Sequence, residues 1–486
     1  MSTTGTIPAD AFSLRSPFGR RAIGLSVAAA VGGFLFGFDS SVINGAVDSI
    51  SGNFELNSVL TGFVVAVALL GCAVGAIIAG GLSDRWGRLK TMMLGSVMFL
   101  VSSIGSGLTF SVPDLIVWRV IGGIGIGIAS VVAPAYIAEI APRQIRGSLA
   151  SLQQLAITLG IFAALLSDAL LAGVAGGASE QLWWGMEAWR WMFLVGVIPA
   201  AVYGLLAFVM PESPRYLLAK GRNDEAREIF ARLVPEADLD KSVNEIRTAI
   251  EEDRKNKGAS LRGPVLGLQG IVWVGIILST FQQFVGINVI FYYSTTLWKA
   301  VGFDESNSLL ISVITSVTNV VVTLIAIWLV DRVGRKPILL TGSVLMTLSL
   351  ATMALAFAFA ENVDGEPTLP GAWGPIALIA ANLFVVGFGA SWGPLVWVLL
   401  GEIFPSRIRG KALGVAAAAQ WVANFLITVS FPAMSAWSLP LTYGMYALFA
   451  ALSFAYVAWR VPETKGMELE QTETLFVRKA KEPARR

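Results

Sequence analysis

Two charged side chains lie inside segments that are otherwise apolar. Asp39 stands in GFLFGFDSSVING and Arg119 in WRVIGGIGIG. Because an ionised side chain in the middle of a membrane helix costs about 3 kcal/mol on insertion scales, such residues are expected to be functional. We expect Asp39 and Arg119 to form a pair that breaks when Asp39 takes up a proton, so that the helices carrying them can rearrange. The alternative is a permanent structural ion pair.

A second group of residues is suited to a ligand rich in hydroxyl groups. Amide side chains both donate and accept hydrogen bonds, as hydroxyl groups do. The apolar segments contain many amides with aromatic residues nearby: Gln154, Gln282, Gln283, Asn288, Asn319, Gln420 and Asn424, with Phe36, Phe291, Tyr292, Trp397 and Trp421. Single amides usually bind neighbouring helices. A set of this size, most of it in the second half of the chain, favours a binding site.

Acidic and basic residues recur in two similar sets at the ends of the apolar segments. Three pairs of motifs recur in the same order: DRWGR at 84–88 with DRVGR at 331–335, EIAPRQIRG at 139–147 with EIFPSRIRG at 402–410, and, more weakly, PESPR at 211–215 with PETKG at 462–466. Their offsets of about 250 residues, in the same order, indicate duplication of a six-helix unit. In transporters, such repeats place the ligand site between the two halves, near the bilayer midplane.

We expect the charged residues of these motifs to form ion-pair networks that close one side of the molecule in one state and release it in another. The alternative is that they only orient the chain in the membrane. The residues are Asp84, Arg85, Arg88, Glu139, Arg143, Arg146 and Glu212, then Asp331, Arg332, Arg335, Glu402, Arg407, Arg409 and Glu463.

The elements that position these residues are membrane helices. Charged residues make up 14% of the 486-residue chain, against about 25% in soluble proteins, and the mean hydropathy is +0.69. A spanning helix needs about 20 apolar residues. Twelve stretches qualify, near residues 22–47, 58–82, 91–112, 115–139, 149–173, 190–210, 270–298, 308–330, 337–360, 373–402, 411–434 and 439–461. The first is too long to be the core of a signal peptide.

Lys and Arg are concentrated in alternate loops, so the positive-inside rule predicts that both termini are cytoplasmic. Two apolar stripes in the long polar insert, Ala226, Ile229, Phe230, Leu233 and then Val243, Ile246, Ile250, predict amphipathic helices. The predicted organisation is a cytoplasmic segment 1–21, a six-helix half 22–210, a cytoplasmic helical linker 211–268, a second half 269–461 and a cytoplasmic tail 462–486. A multi-pass protein of the plasma membrane is expected.

Several kinds of chemistry have no basis in the sequence. There is no histidine, which is the usual proton carrier at neutral pH, and the single cysteine, Cys72, has no partner for an internal disulfide. We find no phosphate loop, metal-ligand cluster or nucleophile-base pair. We therefore expect no enzyme activity, cofactor, metal or nucleic-acid partner.

The repeated motifs, together with QQFVGIN at 282–288 and GPLVWVLLGEIFPSRIRG at 393–410, resemble the sugar porter family of the major facilitator superfamily over residues 25 to 470. The resemblance implies an all-α membrane protein with twelve transmembrane helices in two pseudo-symmetric halves. It also implies transport of a monosaccharide by alternating access, and a gating role for the repeated charged motifs.

Particular residues match positions with known roles in that family. Gln154, Gln282, Gln283, Asn288, Trp397 and Gln420 match positions that bind monosaccharide hydroxyls, and Phe36, Tyr292 and Trp421 match its aromatic lining. Asp39 matches the protonation site of proton-coupled members, where passive facilitators usually have an uncharged residue. Ile161 and Phe291 resemble glucose-carrying members, so we expect D-glucose or a related hexose.

Other functions remain open at this stage. The chain could be a passive sugar facilitator, or a symporter for xylose, galactose, arabinose or myo-inositol. A sugar sensor with the same fold is a further class, although sensors usually carry longer cytoplasmic extensions. A membrane-embedded glycosyltransferase would need a catalytic acid cluster that we do not find. The expected partners are the sugar, the proton and the lipid bilayer, with the chain acting as a monomer.

Overall fold

The computed structural model describes residues 16–141, 145–256, 260–363, 366–405 and 408–464. The first half consists of helices α1 (Pro17–Asn53), α2 (Ser58–Trp86), α3 (Arg88–Gly107), α4 (Val112–Ile140), α5 (Arg146–Ala175), α6 (Ala188–Val195) and α7 (Val197–Val209). The linker contains α8 (Pro214–Ala219), α9 (Asn223–Ala231), α10 (Glu236–Asn256) and the short strand β1 (Arg262–Val265).

The second half is also mainly helical. It consists of α11 (Gly270–Phe284), α12 (Ile287–Tyr292), α13 (Ser294–Lys299), α14 (Glu305–Val333), α15 (Arg335–Ala358), β2 (Glu361–Val363), β3 (Glu366–Thr368), α16 (Trp373–Gly389), α17 (Trp392–Ile403) and α18 (Arg409–Arg460). Strands β2 and β3 pair antiparallel. The three short strands were not predicted from the sequence.

The described residues form twelve membrane-crossing segments, which confirms the prediction. Eleven helical segments are long and apolar enough to cross a membrane, and α18 counts as one of them with 52 residues. At 1.5 Å per residue it would be about 78 Å long, far more than a bilayer core of about 30 Å. It bends at Ser438, whose backbone is non-helical, shortly before Pro440, and so provides the last two crossings.

Three of the crossings are interrupted. Between α11 and α12, Gly286 has φ +84°, and a β-carbon there would come within 2.6 Å of the Tyr446 ring. Only glycine combines this conformation with this contact. Gly196 separates α6 from α7, and Ala390 and Ser391 separate α16 from α17. Interrupted helices free backbone groups in the membrane interior, where protein or ligand groups must bind them.

The helices expose apolar side chains where lipid would contact them. Ile77, Val174 and Phe208 are 70 to 75% exposed, whereas the interior buries the polar residues described below. The two halves meet where α2 packs on α18 and α5 packs on α14. At Gly62 the carbonyl oxygen of Val429 lies 2.3 Å from the position that a β-carbon would occupy, so this contact requires glycine.

The linker helices pack on one another through the predicted apolar stripes. Leu217, Leu218, Ala226, Phe230, Leu239 and Val243 form a small core, with Ile229, Ile246 and Ile250 against it. Leu233 instead belongs to the main membrane core. The prediction of amphipathic linker helices is therefore confirmed.

Two faces are distinguished by charge. The basic face is the one at which α1 begins, and it carries the turns at Gly87 and Gly334 and the linker helices α8 to α10. The acidic face is the one at which α1 ends, and it carries Asp48, Asp304 and Glu305. The domain boundaries remain a prediction.

Candidate functional site

The expected intramembrane ion pair is present between α1 and α4. Arg119 donates from Nη1 to Oδ1 of Asp39 at 2.9 Å, and the two side chains are 3% and 9% exposed. Arg119 Nε has no hydrogen-bond partner among the described residues. One direct contact therefore holds the pair. Loss of the charge on Asp39 would remove most of the attraction that offsets the cost of burying the charge of Arg119.

A small cavity connects this pair with residues of the predicted binding site. Its volume is about 10 Å³, and its lining includes Phe36, Asp39, Arg119 and Tyr292. That volume is close to the minimum for one water molecule. The cavity puts Asp39 next to aromatic residues from both halves, since Phe36 lies on α1 and Tyr292 on α12.

Among the described residues, α5 carries a third intramembrane acidic or basic residue, Asp168, which was not predicted from the sequence. Its side chain is fully buried. Oδ2 accepts a hydrogen bond from the backbone N–H of Gly45 at 3.2 Å, and Oδ1 has no partner among the described residues. An acidic residue within the apolar stretch 149–173 was the signal that could have found it.

Three predicted amides form a hydrogen-bonded chain at the break between α11 and α12. Asn288 donates to Gln283, which donates to Gln282 Oε1 at 3.5 Å. Gln282 then donates to the carbonyl oxygens of Trp392 and Gly393 at 2.8 and 3.1 Å. Both donor hydrogens of Gln282 are thus used at the start of α17. Gln282 therefore stabilises the start of α17. Gln283 and Asn288 keep donor and acceptor capacity for a ligand.

Aromatic and amide residues of α18 approach α1 across the interface between the halves. The rings of Phe36 and Trp421 meet edge-on with centroids 5.4 Å apart. Asn424 is buried and accepts from Thr428 at 3.1 Å. Gln420 Oε1 and the Tyr292 hydroxyl are buried without partners in the described part of the chain. Hydroxyl groups of a ligand are suitable partners for both atoms.

The other predicted ligand-binding residues lie on neighbouring helices. Gln154 and Ile161 are on α5, Asn319 is on α14 and Trp397 is on α17 with 39% of its surface exposed. Phe291 is buried on α12. Within the described ranges, Gln154 and Asn319 form no hydrogen bond to the amide chain.

Gln153, directly before the predicted Gln154, is a further amide that was not predicted from the sequence. Gln153 Oε1 is buried without a partner among the described residues, and its side chain lies against Gly33 of α1. Its position directly beside Gln154 was the available signal.

The charged motif of the first half forms a compact network on the basic face. Arg88 binds Glu139 through two nitrogens at 2.8 and 2.9 Å. Glu212 accepts from the backbone N–H groups of Arg88 and Leu89 at 3.0 and 3.4 Å. It therefore caps the N-terminus of α3, where a negative charge is stabilised by the helix dipole. Ser213 donates to Glu139.

The second half repeats this network residue by residue. Arg335 binds Glu402 at 2.9 and 3.2 Å. Glu463 accepts from the backbone N–H groups of Arg335 and Lys336, both at 3.0 Å, and so caps α15. Thr464 donates to Glu402 at 2.6 Å. In this conformation these contacts lie within each half or join it to the segment that directly follows it, and none of them crosses between the halves.

The other predicted gate residues have weaker or different contacts. Asp84 is 78% exposed and 3.5 Å from Arg88, and Arg85 provides its carbonyl oxygen to Tyr216. Arg332 lies over the Trp328 ring at 3.9 Å, and Arg409 donates to the Phe404 carbonyl oxygen. Four of the predicted gate residues, Arg143, Arg146, Asp331 and Arg407, or their side chains, lie outside the part of the chain that the structure describes.

The two halves are joined by polar contacts at the acidic face, which the sequence analysis did not predict. Asn44 donates to Thr295 at 3.0 Å and to Ser312 at 3.4 Å, and it accepts from the Thr295 backbone N–H at 2.9 Å. One turn further along α1, Asp48 forms an ion pair with Lys299 at 2.9 Å. The acidic face is therefore closed in this structure.

Two more contacts reinforce this closure. Asp48 also accepts from Thr296 at 2.7 Å, and Glu305 accepts from the backbone N–H of Ala178 at 2.8 Å. Burial lowers the pKa of Lys299, but the charge and the hydrogen bond of Asp48 outweigh that effect and raise it above its ordinary value. Lys299 thus stays charged at any physiological pH.

Among the described residues, no group of three or more cysteine and carboxylate side chains could hold a metal ion.

Comparisons with known proteins agree along nearly the whole chain. A model of the family described as "Sugar (and other) transporter" matches residues 25–476. The "Glucose transport protein" of Synechocystis sp. is 53% identical over 449 residues, which cover 92% of this chain and 96% of the relative. The "D-xylose-proton symporter" of Escherichia coli (strain K12) is 36% identical and covers 93% and 95% of the two chains.

Solved structures are similar as well. The proton:xylose symporter XylE of the major facilitator superfamily, bound to 6-bromo-6-deoxy-D-glucose, matches with a TM-score of 0.78 and 36% identity over 94% of this chain and 99% of that one. The inward open conformation of XylE from E. coli gives a TM-score of 0.80 and 35% identity over 93% and 99%.

Proposed function

The chain belongs to the family of sugar (and other) transporters and has the major facilitator fold, and we propose that it imports D-glucose or a related hexose together with a proton. The observation that carries the proposal is the buried Asp39–Arg119 pair, which shares a cavity with Phe36 and Tyr292 of the predicted sugar site. A proton site and a sugar site in contact can be linked through one conformational equilibrium. The family consists of transporters, and the proposal includes no catalytic step.

The choice of a hexose is supported by two kinds of observation. The relative that is 53% identical is named a glucose transport protein, whereas the relatives named as xylose and arabinose symporters are 36% identical. Ile161 and Phe291 would provide apolar contacts to the sugar at the two positions that resemble glucose-carrying members of the family. Gln283, Asn288 and Gln420 would bind the sugar hydroxyls.

The basic face is proposed to be cytoplasmic, because loops rich in Lys and Arg stay on that side. An even number of crossings puts both termini there, in the plasma membrane. The closed acidic face would then be external, and this conformation would be that of a monomeric carrier closed to the outside. The proposed domain boundaries are those predicted from the sequence.

Transport would follow from the properties of the buried pair. With the external side open, Asp39 takes up a proton and its attraction to Arg119 is lost. Sugar binding by residues of both halves then favours closure, and the contacts of Asn44 and Asp48 form. Opening to the cytoplasm hydrates Asp39, which releases the proton and pairs with Arg119 again. The basic-face networks would change their pairing between the two open states.

The available energy is sufficient for accumulation. Movement of one proton with a neutral sugar gains about 2.3 kcal/mol per 100 mV of membrane potential and about 1.4 kcal/mol per pH unit. Each 1.4 kcal/mol corresponds to a tenfold concentration ratio.

The test is uptake of radiolabelled D-glucose by proteoliposomes with an imposed inward proton gradient, with and without a protonophore. We expect accumulation above equilibrium that the protonophore abolishes. Equilibration alone would mean a passive facilitator. Competition by unlabelled galactose, xylose, arabinose and myo-inositol ranks the substrates, and a stronger effect of xylose than of glucose would overturn the hexose assignment.

A further inference from the structure

Asp168 is a buried acid that the proposed transport mechanism does not use. It is fully buried in the membrane interior and accepts one hydrogen bond, from the backbone N–H of Gly45. Its other oxygen has no partner in the described part of the chain. An ionised carboxylate with one neutral donor lacks compensation for the loss of water. The protonated form suits these surroundings, because it carries no net charge.

The cations on the helices around Asp168 are bound elsewhere or lie far away. Helices α1, α4, α6 and α14 pack against α5. Arg119 of α4 binds Asp39, and Arg190 of α6 binds Glu187 and the carbonyl oxygens of Gly107 and Thr109. The other cations of these helices and of α5 itself lie at the basic face: Arg20, Arg21, Arg146 and Arg332.

The other acids on those helices whose side chains the structure describes either have partners or lie at the basic face. Asp48 of α1 binds Lys299 of α13, Glu305 of α14 accepts from Ala178, and Asp114 of α4 binds Thr109 and Trp118. Glu139 of α4 lies in the basic-face network. Asp48, Glu305 and Asp114 add negative charge near the acidic face, and none of these acids can act as a counter-ion for Asp168.

Asp168 lies beside the contacts that close the acidic face. Its hydrogen-bond donor, Gly45, directly follows Asn44, which binds Thr295 and Ser312 of the second half. Asp48 and its ion pair with Lys299 follow one turn later. Helix α14 of the second half packs on α5. Separation of the halves at this face would remove part of the cover over Asp168 and admit water.

We propose that Asp168 is a second proton-binding site, separate from Asp39, that takes up a proton as the acidic face closes and returns it to the same side as that face opens. The carboxylate gains one proton from water at the acidic face, and its negative charge is neutralised. No net proton crosses the membrane through this group. Its effect is to favour closure at low pH, because the closed state binds the proton more tightly than the open state.

The compartment that this face meets rests on the proposed function, but the linkage between protonation and closure does not. It is measured on purified protein as the distance between spin labels on cysteines at Leu108 and Ala360, at the acidic-face ends of α3 and α15. The protein carries Asp39→Asn so that Asp39 does not titrate. Asp168→Asn is compared with Asp168 in this background, since asparagine resembles the protonated acid in shape and accepts the same hydrogen bond.

With Asp168 present, we expect the ratio of closed to open molecules to rise by up to about tenfold per pH unit as the pH falls through the titration range. With Asp168→Asn we expect a high closed fraction at every pH. Equal pH profiles in the two proteins, or no pH response with Asp168 present, would overturn the proposal. The second outcome needs no Asp168 variant, so misfolding of that variant leaves the test intact.

Infrared difference spectra provide a second readout. The C=O stretch of a protonated buried carboxyl is expected in the closed state of the Asp39→Asn protein and absent after Asp168→Asn. Persistence of that band in the double variant would contradict the assignment. Neither experiment depends on transport, so a failure of proton-coupled uptake in proteoliposomes would be recognised separately.

Discussion

The internal repeat is preserved in the contacts of the basic face but not in those of the membrane interior. On the basic face, Arg88, Glu139 and Glu212 of the first half have the same contacts as their equivalents in the second. In the interior the halves differ. The described acidic and basic residues, Asp39, Arg119 and Asp168, belong to the first half, and the hydrogen-bonded amide chain belongs to the second.

This difference indicates a division of labour. Gating requires equivalent elements in both halves, because the halves move relative to one another. Coupling requires two different sites that one movement links. The proposed proton site in one half and the proposed sugar site, which lies mostly in the other half, satisfy that requirement, with Phe36 and Trp421 in contact between them.

The largest effect is expected from Arg119→Met. It leaves Asp39 buried without its partner, and loss of one member of a buried pair typically costs about 3–5 kcal/mol. We expect a marked fall in the melting temperature of the purified protein. The double variant Asp39→Asn with Arg119→Met should recover much of it. A single variant as stable as the wild type would mean that the pair does not hold the first half together.

A smaller effect is expected from substitutions in the repeated networks of the basic face. Glu139→Gln and Glu402→Gln each remove one charged hydrogen-bond acceptor, worth about 1.5–3 kcal/mol. Because the two networks repeat each other, we expect similar losses of stability and of initial uptake rate. A large effect from one variant and none from the other would show that the structural symmetry is not functional.

Substitutions of two neighbouring amides should separate an effect on sugar binding from an effect on stability. Gln283→Ala removes about one neutral hydrogen bond to the sugar, worth about 0.5–1.5 kcal/mol, so the Kd for glucose should rise up to about tenfold. Gln282→Ala frees the carbonyl oxygens of Trp392 and Gly393, so it should mainly lower stability. Calorimetric titration and thermal melting measure the two effects. The reverse pattern would exchange the two roles.

The smallest effect is expected from Lys299→Met at the closed acidic face. The pair with Asp48 is partly exposed, and such pairs contribute about 0–1 kcal/mol, so the closed-to-open ratio should fall by no more than about fivefold. The pKa of Lys299 is raised above its ordinary 10.5. The contribution of the pair is therefore present at neutral pH and is lost only as the pH rises above that value.

A comparison over the physiological pH range checks this sign. The factor by which Lys299→Met lowers the closed-to-open ratio of the wild type, measured by the same spin-label distances, should be constant from pH 6 to 8. A difference that disappears within that range would contradict the raised pKa of Lys299.

Much of the fold could be predicted because it is encoded locally. Hydropathy identifies each crossing, and the repeated motifs identify the two halves. The pairing of Asp39 with Arg119 could be inferred because few charges are available at that depth. Gly286 was visible in QQFVGIN, although its left-handed conformation was not.

The closure of the acidic face could not be predicted in the same way. Asn44 and Thr295 are separated by 251 residues, and neither belongs to a repeated motif. Asp168 was visible as an acid in an apolar stretch, but its contact with Gly45 depends on the packing of α5 on α1. The hydrogen bonds of Gln282 to the start of α17 depend on where α16 ends and α17 begins, and no local signal in the sequence specifies that break.

The most direct test of the account compares glucose accumulation by the wild type and by Asp39→Asn in proteoliposomes with an inward proton gradient, with counterflow exchange as the internal control. The account predicts accumulation in the wild type only, while exchange persists in the variant. Equal accumulation by both proteins would contradict the claim that Asp39 in the first half couples the proton to the sugar.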